Sequence, residues 1–336
     1  GWQFDAERLE IEKFVNLDLE SGDYGFCLIE KDLLAVLGGY SQIYFLDLAT
    51  MTAQKKTVTT EHEHIINKLL YLQNIGYIVA ASGDFLMTVW DYEQNMSHVC
   101  QFKFLDAVYS IEYIEKDNYL VCGGYFNDLY IITFGAKVNG KLDTGGMKNF
   151  QEIKYIPEKD VIASYCEQDG AIWIFDWEKK DLKAKVPCHK EGKDIGCLQY
   201  NSSKKLLYSC GGDGTMLVWD IESLISRGKP LKVYKIEGAF FGGVLHNCNK
   251  DGDFVALCTT DDETKLIVWS LKSDKPKKTI KIADDPAYVI LGSDSTKRIF
   301  IKSANSPSFI VLKESIREKN NLFGSIQNLL PIKKLL

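Results

Sequence analysis

The chain has 336 residues, 46% of them apolar and 12% aromatic, and a formal net charge of −6. That apolar content supplies a packed core and excludes a disordered chain. The acidic balance, with only four arginines (Arg8, Arg227, Arg298 and Arg317), argues against a nucleic-acid binder that reads phosphates or bases.

The nine cysteines form no Cys-x-x-Cys pair, and most, such as Cys27, Cys122, Cys210 and Cys258, sit in apolar strand-like runs. This reads as buried free thiols in a reducing, cytoplasmic setting. No apolar run reaches about 18 residues, so a membrane span is not expected. The chain opens Gly1-Trp2-Gln3-Phe4-Asp5, with neither an initiator Met nor a signal peptide, and is read as a fragment of a longer protein.

In chain order, Arg8 to Val15 alternates apolar and polar residues, as a strand does, but has no repeat unit of its own. From there one apolar position recurs: Leu46, Trp90, Ile132, Phe175, Trp219, Trp269 and Leu312, at intervals of 44, 42, 43, 44, 50 and 43 residues. Each interval shows short strands of period two, separated by Asn, Asp and Gly turns. In the second repeat unit, the one that contains Trp90, strands are predicted at Ile66 to Tyr71, Gly76 to Ser82, Phe85 to Asp91 and Ser97 to Phe104. No convincing amphipathic helix is expected between residues 20 and 313. Beyond it, Leu322, Ile326, Leu329 and Leu330, with Phe323, have helical spacing before Pro331. That tail reads as a short helix packed on the fold or leading into a further domain, ahead of a membrane or partner helix.

Two stretches carry a resemblance. Leu207-Tyr208-Ser209-Cys210-Gly211-Gly212-Asp213-Gly214-Thr215-Met216-Leu217-Val218-Trp219-Asp220 reads as a hairpin whose turn favours positive φ. Ala80 to Asp91 repeats it, with Asp84 again six residues before Trp90-Asp91. This resembles the WD-repeat β-propeller family, whose repeats run at about 40–45 residues with four strands per blade. The resemblance implies an all-β, seven-bladed propeller of four-stranded antiparallel blades. Residues 1–18 would supply the outer strand of blade seven and close the ring, 19–313 would form the propeller, and 314–336 the tail. It also implies a buried relay of loop His, strand hydroxyl, turn Asp and strand Trp. A buried indole N–H needs an acceptor, and a chain of donors must end on a charge. Blade five matches with His189, Ser209, Asp213 and Trp219. Blade two matches with His62, Asp84 and Trp90, but has Ala80 at the hydroxyl position. Blade four retains only Asp169, with Phe175 in place of Trp. These sets imitate a catalytic triad, but they read as structural.

Other chemistry-like motifs fail on inspection. Gly135 to Leu142 imitates a phosphate loop, but Leu142 replaces the magnesium-binding hydroxyl and no helix follows, so it is read as a hairpin loop of blade three. Cys188-His189 with Cys197 lacks zinc spacing. Asp261, Asp262 and Glu263, and likewise Asp284-Asp285, read as solvated turns. The lysine runs Lys179-Lys180 to Lys185 and Lys272 to Lys281 are placed on outer strands, where charge deters edge pairing. No metal or cofactor is expected.

In WD-type propellers the residue after the apolar start of each inner strand faces the channel. Here these are Gly25, Asn67, Tyr109, Gln151, Gly196, Gly242 and Ala287. They make a lopsided mouth: an aromatic and two amides facing small residues, a slot for one inserted side chain of a basic peptide. The function expected is a non-catalytic interaction scaffold with a protein or peptide partner, and no nucleic acid or membrane. The alternatives are a targeting or regulatory domain of a larger kinase or ubiquitin-ligase component, or a propeller enzyme with an unrecognised channel site. The mouth positions hold no Asp, Glu, His or Cys.

Overall fold

A computed structural model describes residues 9–16, 26–30, 33–38, 41–50, 52–190, 193, 195–245, 253–260, 263–284, 287–293, 298–303 and 308–314. They form seven four-stranded antiparallel sheets. Alternation sets the layering: one face of each sheet packs on the next blade, and the central strands are apolar on both faces because both are covered. In blade four, Val161–Cys166 is buried at every position. The inner strands are Phe26–Glu30, Ile66–Leu72, Val108–Ile114, Phe150–Ile156, Ile195–Asn201, Phe240–Leu245 and Ala287–Ser293. Consecutive ones pack side by side around a central channel. The observed strands of blade two are Ile66–Leu72, Tyr77–Ser82, Leu86–Asp91 and Ser97–Lys103.

The ring is closed by the strand that has no blade of its own. Leu9–Asn16 pairs antiparallel with Ser308–Glu314 and becomes the outer strand of blade seven. Between Ile11 and Lys13 the register slips, and the carboxylate of Glu12, the residue between them, receives Arg298 in a bidentate grip, Nε to Oε2 at 2.5 Å and Nη2 to Oε1 at 3.0 Å. The planar guanidinium fork suits that geometry, and its pKa is raised first by the hydrogen bond to Glu12. Lys278, from the outer strand of blade six, donates to the Leu9 carbonyl at 2.8 Å. Across the seam, Leu34, Val36, Leu46 and Leu48 of blade one share one apolar cluster with Phe300 and Val311 of blade seven.

Two expectations need correction. A helix, Ile221–Arg227, follows the third strand of blade five. Asp220 caps its start by accepting Ser223 N–H at 2.9 Å, and Gly228, at φ 59°, ends it. Its buried residues Ile221 and Leu224 dock it beside Val186, in the outer strand of blade four. Two turns are too short for periodicity to show, but the 50-residue interval after Trp219 is where the insertion lies. The lysine runs also sit differently. Lys179 and Lys180 precede the outer strand Leu182–Pro187, and Lys272, Lys275 and Lys277 precede Lys278–Ala283, so much of each run is turn. The Gly135 motif is a tight turn followed by the outer strand Lys137–Leu142. Gly25, Asp261, Asp262, Asp285 and the tail's apolar residues lie outside the described residues.

Deleting residues 1–16 should lower the melting temperature sharply and expose Ser308–Glu314 as an edge that promotes aggregation. Thermal melts with light scattering check this; a truncated chain that melts like the parent would show that the pairing does not hold the ring.

Candidate functional site

Strand order puts the loops that enter each inner strand and the hairpin turns that precede each third strand on one face. In blade five a directed relay joins them. Trp219 Nε1–H donates to Ser209 Oγ at 3.0 Å, Ser209 lies 2.9 Å from His189 Nε2, and His189 Nδ1 lies 3.2 Å from Asp213. Asp213 also accepts Lys190 N–H at 3.0 Å and the Thr215 hydroxyl at 2.7 Å. Burial works to raise the Asp213 pKa, but the hydrogen bonds from His189 and Thr215 outweigh it and hold the carboxyl well below the usual range.

Blade two keeps the relay although Ala80 lacks a hydroxyl. Thr88, directly across the ladder from Ala80, supplies it. Trp90 Nε1–H donates to Thr88 Oγ1 at 3.0 Å, Thr88 Oγ1 lies 2.9 Å from His62 Nε2, and His62 Nδ1 lies 2.9 Å from Asp84. A neutral imidazole, protonated at Nδ1, satisfies all three contacts. Blade four is also better furnished than its sequence reads. Trp173, two residues before Phe175 and therefore on the same face, donates to Asp169 Oδ2 at 3.1 Å. Lys185 reaches that oxygen at 2.7 Å while its ammonium stands 4.6 Å from the Trp173 ring centroid. In blade three Asp128 accepts Thr144 N–H at 3.2 Å from the next loop. In blades two and five the turn Asp stitches down the loop that enters its own blade, through Glu63 and Lys190, and in blade three the loop that leaves it. These groups are committed to structure.

The mouth is set by a repeated irregularity. In six inner strands the pairing skips one residue near the start: Asn67, Tyr109, Gln151, Gly196, Gly242 and Tyr288. Such a bulge bends the strand and re-aims a side chain. Blade seven departs from the sequence reading: Ala287 pairs in register with Ser303, and Tyr288 is the skipped residue. Ala287 is itself the apolar start of its strand, so counting from the residue before it fell one short. The arc of small residues therefore narrows to Gly196 and Gly242. On the opposite side, Asn67 Nδ2 donates to the Val108 carbonyl at 2.8 Å, and Gln151 Nε2 to Glu167 Oε2 at 2.5 Å. Tyr109, half-buried, stands in the blade between them.

Below the mouth the channel carries charge that the sequence reading did not single out. Lys68 Nζ of blade two meets Glu152 Oε1 of blade four at 3.1 Å, past blade three, which only an axis-facing pair can do. Lys154 Nζ meets Glu112 Oε2 at 3.3 Å, and Glu112 Oε1 also accepts Tyr155 N–H at 3.1 Å. Burial acts to lower the Lys154 pKa, but Glu112 and Glu152 outweigh it and the pKa is raised. The signal was present as charged residues alternating through otherwise apolar inner strands. At the other end of the channel, a cavity of about 470 Å³ opens between the inner hairpins of blades two and three, lined by Leu70, Tyr71, Leu72, Gln73, Asn74, Glu112, Tyr113 and Glu115.

No group of three His, Cys, Asp or Glu placed to hold a metal occurs among the described residues. Burial pushes the thiols of Cys27 and Cys166 up to about 12 and that of Cys258 to about 11, far from a nucleophile's range.

Comparison with known proteins agrees with this geometry. The family described as "WD domain, G-beta repeat" matches residues 180–220, the third strand of blade five and the relay before it. The chain is a seven-bladed β-propeller that carries a WD repeat at blade five. It is similar to the WD repeat-containing protein 91 homolog of Dictyostelium discoideum, 23% identical over 280 residues. That match covers 82% of this chain but 34% of the relative, so the chain spans about a third of that protein's length. WD-repeat propellers are generally non-catalytic and typically act as scaffolds that bind proteins or peptides.

Thr88→Val keeps the shape but strands the Trp90 N–H and His62 Nε2, and should cost about 1–3 kcal/mol, as should Asp213→Ala. Urea titration checks both; a neutral Thr88→Val would show that the blade-two relay carries no stability. Stability should also fall in acid. Burial holds the His62 pKa below its usual 6.5 despite Asp84. The unfolded chain therefore takes a proton that the folded site refuses, and stability declines as pH falls below 6.5. Asp84, held below 3.8 because its partners outweigh burial, adds a second loss at lower pH. Melting temperatures across mildly acidic pH should decline less steeply in His62→Asn than in the parent.

Proposed function

We propose that this propeller is a non-catalytic scaffold whose loop-bearing face docks an extended segment of a protein partner at the channel mouth. The observation that carries the reading is the lopsided bulge ring. Tyr109 stands between two anchored amides and opposite glycines, which bring no side chain of their own to that side of the ring. An aromatic face there supports a Lys or Arg with about 0.5–2 kcal/mol of cation–π energy. The net charge of −6 likewise favours a basic partner. The four described channel charges are spent on one another, which leaves no activated nucleophile or free acid–base pair among them.

A second reading, a targeting module within a larger protein, is supported by the share of the Dictyostelium relative that the chain spans. It is compatible with the first. Work in a reducing, cytoplasmic compartment is supported by the eight described cysteines, all free.

Tyr109→Ala should weaken capture of a partner by about tenfold, or about 1.4 kcal/mol, with little change in melting temperature. Affinity measurements on a partner recovered with the parent chain check this. Capture undiminished in that variant, but abolished by charge reversal at Lys275, Lys277 and Lys278, would move the site to the rim of blade six.

A further inference from the structure

Large apolar side chains exposed on their own are ordinary; contiguous ones are not. Seven are exposed among the described residues, and four of these lie on or beside outer strands of blades three, four and five. The other three, Phe85, Leu105 and Tyr125, gather on the loop-bearing face at the junction of blades two and three, 39%, 85% and 48% exposed. Two backbone hydrogen bonds hold their segments together. Phe104 N–H donates to the Phe85 carbonyl at 2.7 Å, and Tyr125 N–H to the Ala107 carbonyl at 2.9 Å. Beneath them Phe104 stacks on Phe126, centroids 5.0 Å apart, so the patch stands on a rigid base.

Phe85 is also in a backbone conformation that resists it. Its φ is 74°, the left-handed region that bulky residues avoid. The same turn position in blade five is Gly214, also at φ 74°. In both, the carbonyl accepts the N–H that begins the next loop, Phe104 in blade two and Ile236 in blade five. Glycine satisfies the turn without strain. A phenylalanine there adds strain and leaves a ring in water, a combination found at sites that bind.

The surroundings choose the occupant. In segments 59–64, 83–86, 103–107 and 124–128 there are carboxylates at Glu61, Glu63, Asp84, Asp106 and Asp128 against one cation, Lys103. Asp128 is paired with Lys141 at 2.7 Å, so the acidic margin is Glu61, Glu63, Asp84 and Asp106. Glu61 and Glu63 are exposed, and Glu63 N–H donates to Asp84 beside Phe85. An acidic margin repels an anionic membrane and attracts a basic chain.

We infer that Phe85, Leu105 and Tyr125 form a second docking site on this face, for a segment of a partner protein that offers one bulky apolar side chain flanked by Lys or Arg. The inference rests on the reading of this face as a docking face, but not on Tyr109.

The test is selection of short random displayed peptides on the immobilised chain, followed by affinities of the enriched peptides for three variants. Enriched sequences should share a bulky apolar residue with Lys or Arg close by. Their affinity should fall by about tenfold or more in Phe85→Gly and Leu105→Asp, and by less than about twofold in Tyr109→Ala. Phe85→Gly should melt no lower than the parent, because glycine relieves the turn, so its loss of binding cannot be unfolding. Peptides that lose affinity only in Tyr109→Ala would sink this site and leave the channel-mouth reading standing. Peptides that respond to Phe85 and Leu105 alone would establish this site and leave the channel mouth to its own test with a whole partner. Failure to enrich any basic, apolar motif would overturn the inference. So would sedimentation with phosphatidylcholine–phosphatidylserine vesicles that Leu105→Asp abolishes, or self-association that Leu105→Asp abolishes, since each assigns the patch to another occupant.

Discussion

Seven separate sheets become one body only where the first described strand meets the last. Leu9–Asn16 lies against Ser308–Glu314, so the first and last described strands share blade seven. Without that pairing the ring has a free edge and a cold seam between blades seven and one. With it, Leu34 and Val36 pack on Phe300 and Val311, and the inner strands are held at fixed places around an axis. The Arg298–Glu12 fork and the Lys278 bond to the Leu9 carbonyl add polar restraints on either side of the closing strand. Everything described at the mouth and in the channel presupposes this closure.

Inside each blade the constraint is different. An indole buried between sheets must place its N–H, and the structure uses more than one route to a carboxylate. Blade five goes through Ser209 and His189. Blade two draws the hydroxyl from Thr88, one rung across the ladder from where blade five takes it. Blade four omits the imidazole and brings Trp173 directly onto Asp169. What is common is the destination: an Asp in the hairpin turn. In blades two, three and five that same Asp holds the neighbouring loop. A stability device thus also fixes the face on which a partner would land.

That face is uneven. Blades two to four carry the anchored amides, Tyr109, the axial charge pairs and the apolar patch, whereas blades five and six offer glycines at the mouth. The charges inside the channel neutralise one another, whereas beside the patch, once Asp128 is paired with Lys141, carboxylates still outnumber cations around Phe85 and Leu105. Docking chemistry is therefore concentrated on one side of the ring.

The sequence by itself determined the architecture, because a recurring strand position at nearly constant spacing leaves few folds that can bury it. It also determined the blade-five relay, where each member stands at its customary place. Helix Ile221–Arg227 was visible only as a long interval, since two turns give periodicity too little to act on. Tertiary structure decided what depends on register. A single skipped residue makes Tyr288, and not Ala287, the bulge of blade seven, and no local pattern reveals which residue a ladder will skip. Cross-strand pairing put Thr88 opposite Ala80, and closure of the ring brought Lys68 to Glu152 across a whole blade. The patch of Phe85, Leu105 and Tyr125 is scattered over forty positions of chain and exists only because two backbone hydrogen bonds gather three loops. Proximity between distant segments is a property of the packed ring, and the linear order does not contain it.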